Sequence, residues 1–123
     1  MRHLTTGDLL AIADLVMGGR AEVRDPNLVD SAAQRPRATA FGQDAYPDLH
    51  AKAAALLHSV LRNHPLVDGN KRLAWVGCRT FLALNDAGFA PEEDAAVDFV
   101  MRVAGGEIRE IDAIAAQLRA WTG

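Results

Sequence analysis

The sequence has a single cysteine, few aromatic residues and no excess of positive charge, and each shortage excludes a class of protein. Cys78 is the one cysteine among 123 residues, which excludes a disulfide framework and a cysteine metal cluster. We expect it to be a buried helix residue. Aromatic residues make up 6% of the chain, which disfavours a sheet rich in aromatic and β-branched side chains. The net charge of −3 disfavours direct nucleic-acid binding.

Long hydrophobic runs are missing as well. No apolar run approaches the roughly 20 residues that span a bilayer. The acidic Asp8 precedes any long apolar stretch, so the start of the sequence does not resemble a signal peptide. We therefore expect a cytoplasmic protein without membrane attachment. Half of the residues are hydrophobic, and the length is typical of one domain with one core, over residues 1–123.

Apolar residues recur at helical spacing along most of the chain. Thr5 or Thr6 is expected to cap the first helix and Gly18 to end it, while Asp25 caps the second, which begins at Pro26. The predicted helices cover residues 8–17, 26–34, 48–62, 69–85, 91–103 and 108–121. No convincing series of strands is evident. The sequence therefore predicts an all-α fold, a compact helical bundle.

Residues 35–47 interrupt this pattern with a polar loop punctuated by glycine and proline. A loop of about a dozen residues in a compact domain is often functional. Its two aromatic residues, Phe41 and Tyr46, indicate either a tethered flap or two anchors in the core.

A group of polar residues surrounds the junction between the third and fourth predicted helices. Pro65 ends one helix, and a Gly69-Asn70-Lys71-Arg72 run opens the next. The first N–H groups of a helix have no internal partners, and the helix dipole is positive there, so this start is a natural anion site. Two cations in a first turn are repelled by the positive end of the helix dipole, and a bound anion between them would compensate for this repulsion. Solvated cations are the alternative.

Two further residues extend this site. Asp68 can hold Mg²⁺ that bridges it to phosphate oxygens; the alternative is a helix N-cap, and the two roles can coexist. His64 suits a general base, because histidine has an unperturbed pKa of about 6.5. A structural role at the helix end is its alternative. The combination predicts a phosphate-handling active site over residues 64–72.

The motif resembles the signature of the Fic/Doc family, in particular its death-on-curing (Doc) branch. The common Fic pattern reads His-Pro-Phe-x-Asp/Glu-Gly-Asn-Gly-Arg-x-x-Arg, and Doc-like members carry lysine at its second glycine. This chain has His64-Pro65-Leu66-Val67-Asp68-Gly69-Asn70-Lys71-Arg72-Leu73-Ala74-Trp75. The segments 24–28, 35–39 and 46–49 also resemble Doc-type sequences, so the resemblance covers residues 24–90.

The resemblance implies a role for each matching position. His64 is the base, Asp68 holds Mg²⁺, and Gly69 lines the anion hole. Contacts to the phosphates of the co-substrate ATP fall to Asn70, Lys71 and Arg72. The flap over residues 35–47 docks the target segment, through Thr39, Ala40 and Phe41.

Two positions depart from the pattern and bear on the reaction. Leu66 replaces phenylalanine and is expected to face the core. Trp75 replaces the second arginine, and Lys71 the glycine, that help adenylyl-transferring members orient ATP. The resemblance therefore implies a kinase that transfers the γ-phosphoryl group to a hydroxyl of a translation factor, elongation factor Tu. An adenylyltransferase and a catalytically weak antitoxin-binding module are the alternatives.

Many Fic proteins inhibit themselves through an internal Ser/Thr-x-x-x-Glu helix. No Ser or Thr stands four residues before any of the five glutamates, which are Glu22, Glu92, Glu93, Glu107 and Glu110. The resemblance therefore implies inhibition by a separate Phd-like antitoxin, as in a toxin–antitoxin system.

Overall fold

In a computed structural model that describes residues 1–122, the chain forms six α-helices, a short 3₁₀ helix and a two-stranded hairpin. The α-helices are α1 (Thr6–Met17), α2 (Pro26–Gln34), α3 (Leu49–Asn63), α4 (Asn70–Leu84), α5 (Glu93–Ala104) and α6 (Ile111–Thr122). The 3₁₀ helix covers Arg35–Arg37. The predicted all-α fold is confirmed, although α5 begins two residues and α6 three residues later than expected.

Local capping sets several of these helix boundaries. The Thr5 side chain accepts a hydrogen bond from the Asp8 backbone, and the Asp8 side chain accepts one from the Thr5 backbone, which completes a capping box. Gly18 ends α1 in the left-handed conformation. The Asp25 side chain caps α2, with Pro26 in its first turn.

The core is built around α3, which packs against α2, α4, α5 and α6. Alanines such as Ala53 and Ala54 are fully buried along α3, and their small side chains let the neighbouring helices approach closely. All six helices contribute to one hydrophobic core. Cys78 is buried in it as expected, and burial raises the pKa of its thiol to about 12. Within residues 1–122, no helix is long and apolar enough to cross a membrane.

The predicted loop over residues 35–47 contains a small antiparallel hairpin, which corrects the expectation of no strands. Its strands are β1 (Thr39–Ala40) and β2 (Gln43–Asp44). Phe41 and Gly42 form the two-residue turn with φ values of +54° and +78°. Such turns favour Asn-Gly or Gly-Gly. Because Phe41 at the first turn position is not a residue that such turns favour, the sequence does not predict this hairpin.

Candidate active site

The structure brings the six residues predicted for catalysis, metal binding and phosphate binding into one cleft of about 380 Å³. The cleft lies between the end of α3 and the start of α4. Its lining includes His64, Asp68, Gly69, Asn70, Lys71 and Arg72. The local motif in the sequence therefore forms one continuous surface.

His64 sits where α3 ends. Its backbone adopts the left-handed conformation with φ +50°, and its N–H donates to the Val60 carbonyl. This conformation turns the chain out of the helix directly before Pro65. The His64 side chain is exposed and lines the cleft, where it can meet an incoming hydroxyl group.

A segment far away in the sequence holds this turn in place. Nε of Arg24 donates to the His64 carbonyl at 2.7 Å, and its Nη2 donates to the Asn63 carbonyl at 2.7 Å. The backbone N–H groups of Arg24 and Asp25 both donate to the Pro65 carbonyl, at 2.8 and 3.1 Å. Sequence reasoning noted the 24–28 segment through the family resemblance but missed this role. No spacing signal connects an arginine to carbonyls about forty positions away.

Asn70 closes the loop between the two helices. Its Oδ1 accepts from the Leu66 N–H and its Nδ2 donates to the Leu66 carbonyl, both at 2.9 Å. Leu66 is buried, as expected for its replacement of phenylalanine. These two bonds order the loop between α3 and α4. The second N–H of the Asn70 amide is left for a ligand.

The start of α4 offers unpartnered N–H groups to the cleft. Gly69 is its N-cap with φ +88°, and it has no side chain that could accept from the first turn. Asp68 does not occupy the N-cap position; its Oδ1 accepts from the Gly69 N–H at 2.8 Å. The prediction of an N-cap role for Asp68 is therefore wrong, although Asp68 does line the cleft.

Positive charge accumulates beside these N–H groups. Lys71 and Arg72 are exposed, and neither forms an ion pair within residues 1–122. Over the same residues, no three His, Cys, Asp or Glu side chains cluster as a metal site. Asp68 is the one carboxylate among the described residues that line the cleft, so a Mg²⁺ ion held there would take most of its ligands from phosphates and water.

The flap is tied to α3 by a buried lysine. Nζ of Lys52 donates to the carbonyls of Pro36 and Tyr46 and to Oδ2 of Asp44. Nε of Arg35 donates to the Tyr46 hydroxyl at 3.0 Å. Tyr46 therefore anchors a tethered flap.

The tip of the hairpin has a different environment. Phe41 is fully exposed there, with Thr39 and Ala40 on the exposed strand before it. None of the three is among the described residues that line the cleft.

Trp75 lies one turn further along α4 and packs into an aromatic cluster. Its ring lies 5.9 Å from those of Phe89 and Trp121, edge to face in both cases, and 6.3 Å from that of Phe99. These contacts stabilise the packing of α4 against α5 and α6. The family's second arginine is therefore replaced here by a packing residue.

Comparison with known proteins identifies the same family as the motif at residues 64–72. The Fic/DOC family model matches residues 3–82, which include the flap, the predicted site residues of 64–72 and most of α4. Toxin Doc of Mycolicibacterium smegmatis is 47% identical over 118 residues, covering 94% of this chain and 90% of that protein. The chain therefore belongs to the Fic/DOC family.

Proposed function

We propose that this protein is the toxin of a toxin–antitoxin system and transfers the γ-phosphoryl group of ATP to a hydroxyl group of a target protein. The observation that carries the proposal is the single cleft shared by His64, the open N-terminus of α4 and the cations Lys71 and Arg72. The similarity to a protein named Toxin Doc supports the biological role.

The chemistry follows from the order of these groups. The His64 imidazole accepts the proton of the target hydroxyl as its oxygen attacks the γ-phosphorus. A new oxygen–phosphorus bond forms, the bond to the β-phosphate oxygen breaks, and ADP leaves. The N–H groups at the start of α4, together with Lys71 and Arg72, stabilise the negative charge on the transferring phosphoryl group.

Asp68 and Asn70 prepare the site. Asp68 is the residue that would hold Mg²⁺, which supplies charge neutralisation of the phosphates when bound. Asn70 keeps the loop closed through its two bonds to Leu66, so that the catalytic imidazole and the anion site retain their separation.

The choice of the γ-phosphoryl group rests on Lys71 and Trp75. Adenylyl-transferring members of the family carry glycine and arginine at these positions to orient the α-phosphate. Here Trp75 is engaged in aromatic packing and offers no cation. Adenylyl transfer is therefore the weaker alternative.

Two features suggest the protein partners: the flap suggests how a target protein docks, and the lack of an inhibitory motif suggests a separate antitoxin. The exposed residues Thr39, Ala40 and Phe41 form a hairpin edge on which an extended target segment can dock. Elongation factor Tu is the target that the family resemblance favours. Because the sequence contains no inhibitory Ser/Thr-x-x-x-Glu motif, we assign inhibition to a Phd-like antitoxin.

Labelled ATP tests the reaction directly. The purified chain is incubated with Mg²⁺, elongation factor Tu or a cell extract, and ATP labelled at either the γ- or the α-phosphate. We expect label in protein from the γ position alone, and none with His64→Ala. His50→Ala is the matched control, since His50 bonds Thr122 outside the cleft.

The other outcomes separate the alternatives. Label from the α position would establish adenylyl transfer. Transfer by His64→Ala at the parent rate would refute the proposed base. An absence of both labels, with no growth arrest on expression, would leave the catalytically weak antitoxin-binding module as the correct interpretation.

A further inference from the structure

A small cationic pocket adjoins the phosphate cleft near the end of α3 and has no role in the chemistry above. It lies between α3 and the segment that joins α5 to α6, and its lining includes His58, Arg62 and Arg109. Leu61 and Ala104 line both the pocket and the cleft, so the two spaces are neighbours. The pocket encloses about 170 Å³, below the roughly 300–1,000 Å³ of small-molecule sites, so it suits a single side chain better than a nucleotide.

The pocket concentrates positive charge. Arg62 and Arg109 are exposed, and neither forms an ion pair within residues 1–122. None of the described residues that line the pocket is acidic. Burial together with the charges of Arg35 and Arg62 lowers the pKa of His58, and the opposing effect of Glu110 does not cancel them. In a chain with a net charge of −3, this local excess of positive charge attracts an anion.

The hydrogen-bond donors of the pocket match a carboxylate. Nη1 of Arg35 lies 3.0 Å from Nδ1 of His58, and because arginine can only donate, Nδ1 accepts and Nε2 carries the ring proton. Nε of Arg109 donates to the Gly106 carbonyl at 2.7 Å, which leaves its two Nη groups for a ligand. Guanidinium groups bind carboxylates through paired hydrogen bonds. The pocket therefore fits the side chain of an aspartate or a glutamate.

Arg35 connects the pocket to the flap. Its Nε donates to the Tyr46 hydroxyl, while its Nη1 donates to His58. On the flap side, Arg35 lines a shallow groove that reaches Thr39 of β1. The described residues that line this groove and the pocket include arginines and a histidine but no aspartate or glutamate. A polypeptide that docks on the flap and presents a hydroxyl to His64 therefore passes the cationic pocket.

The spacing along α3 indicates where an anionic side chain would stand in that polypeptide. His58 and His64 are six positions apart, and a helix rises about 1.5 Å per residue, so about 9 Å of helix axis separates them. An extended chain covers about 3.3 Å per residue. The separation therefore corresponds to about three residues of an extended target segment.

We propose that the cationic pocket binds a carboxylate side chain of the target polypeptide, about three residues from the acceptor hydroxyl, and thereby selects which hydroxyl is phosphorylated. Arg62 and Arg109 hold the carboxylate, and His58 donates to it through Nε2. The proposal rests on the function proposed above and adds a preference for an acidic residue in the target.

Short peptides test the pocket without the transfer reaction. Tetraglutamate and the neutral tetraglutamine are titrated into the full chain, and NMR chemical shifts report where each peptide binds. We expect tetraglutamate alone to shift the signals of Arg62 and Arg109. Arg62→Gln combined with Arg109→Gln should weaken this binding at least about tenfold. Arg2→Gln is the control, since Arg2 is exposed and bonds Asn85 at the far end of α4.

Steady-state kinetics test the role of the pocket in selecting the target. With elongation factor Tu, ATP and Mg²⁺, the variant that combines Arg62→Gln and Arg109→Gln should raise the KM for the target at least about tenfold. Its kcat and its affinity for ATP should stay within about twofold of the parent values. A disturbance of the end of α3, next to His64, would instead lower kcat.

The remaining outcomes are also informative. Equal affinity of the parent chain for the two peptides would overturn the proposal, and so would shifts confined to Lys71 and Arg72, because the carboxylates would then occupy the phosphate cleft. A loss of kcat with an unchanged KM would refute the role in target selection. If the parent chain transfers no phosphoryl group to any protein while tetraglutamate still binds at Arg62 and Arg109, the proposed function fails and the pocket is confirmed as a carboxylate site.

Discussion

Gly69, the N-cap of α4 at the anion site, is the most constrained glycine within residues 1–122. Its φ of +88° lies in the left-handed region, and a Cβ added there would stand 2.3 Å from the Met17 sulfur. Gly106 has a similar φ of +83° but nothing within 4 Å of an added Cβ. The two positions therefore separate backbone strain from steric overlap.

We expect Gly69→Ala to reduce the free energy of unfolding more than Gly106→Ala does. The left-handed backbone costs an alanine about 1–2 kcal/mol at either position. At Gly69 the overlap adds about 1 kcal/mol, the lower end of overpacking costs, because Met17 is flexible and can shift. The predicted losses are thus about 2–3 kcal/mol for Gly69→Ala and about 1–2 kcal/mol for Gly106→Ala.

Urea denaturation followed by tryptophan fluorescence measures both losses. A double-mutant cycle that combines Gly69→Ala with Met17→Ala isolates the overlap, and we expect a favourable coupling of about 1 kcal/mol. Equal losses at the two glycines, with no coupling to Met17, would refute the steric part of the argument. Parent stability in both single variants would refute the backbone part.

Three further predictions concern the groups around the cleft. Arg24→Met removes two donors that hold the carbonyls of Asn63 and His64. The phosphoryl-transfer rate should therefore fall at least about tenfold, while ATP affinity stays within about twofold of the parent value. A parallel loss of rate and affinity would contradict a positioning role. Lys52→Met removes the three hydrogen bonds that join the flap to α3. Amide hydrogen exchange in the hairpin should therefore accelerate at least about tenfold, and the KM for the target should rise. Unchanged exchange would refute the role of Lys52 in holding the flap. Burial, aided by the positive charge of Arg35, lowers the pKa of His58 from 6.5. Because the unfolded chain then binds more protons, the free energy of unfolding should decrease as the pH falls below about 6.5, and His58→Gln should flatten part of that slope in urea titrations. An unchanged slope in that variant would contradict the assignment.

Much of the fold could be predicted because the relevant signals are local. The spacing of apolar residues places the helices, and the capping residues Thr5 and Asp25 fix where α1 and α2 begin. The predicted site residues of 64–72 are close in sequence, so a single turn between helices was enough to bring them together.

The turn at Phe41 and the burial of Lys52 could not be predicted from the local sequence. The turn at Phe41 has a bulky residue in a left-handed conformation, which turn statistics do not anticipate. Lys52 lies within an amphipathic helix pattern and is nonetheless buried, since three acceptors from the flap surround its ammonium group.

The sequence by itself determined the helices and the chemical character of the anion site, because neighbouring residues set helix spacing, caps and the charge at the start of α4. The tertiary structure alone decided how the site is held. Arg24 donates to carbonyls 39 and 40 positions away, and Lys52 joins α3 to three acceptors of the flap. The physical reason is that contacts between distant segments depend on how the whole chain packs, which no local pattern encodes.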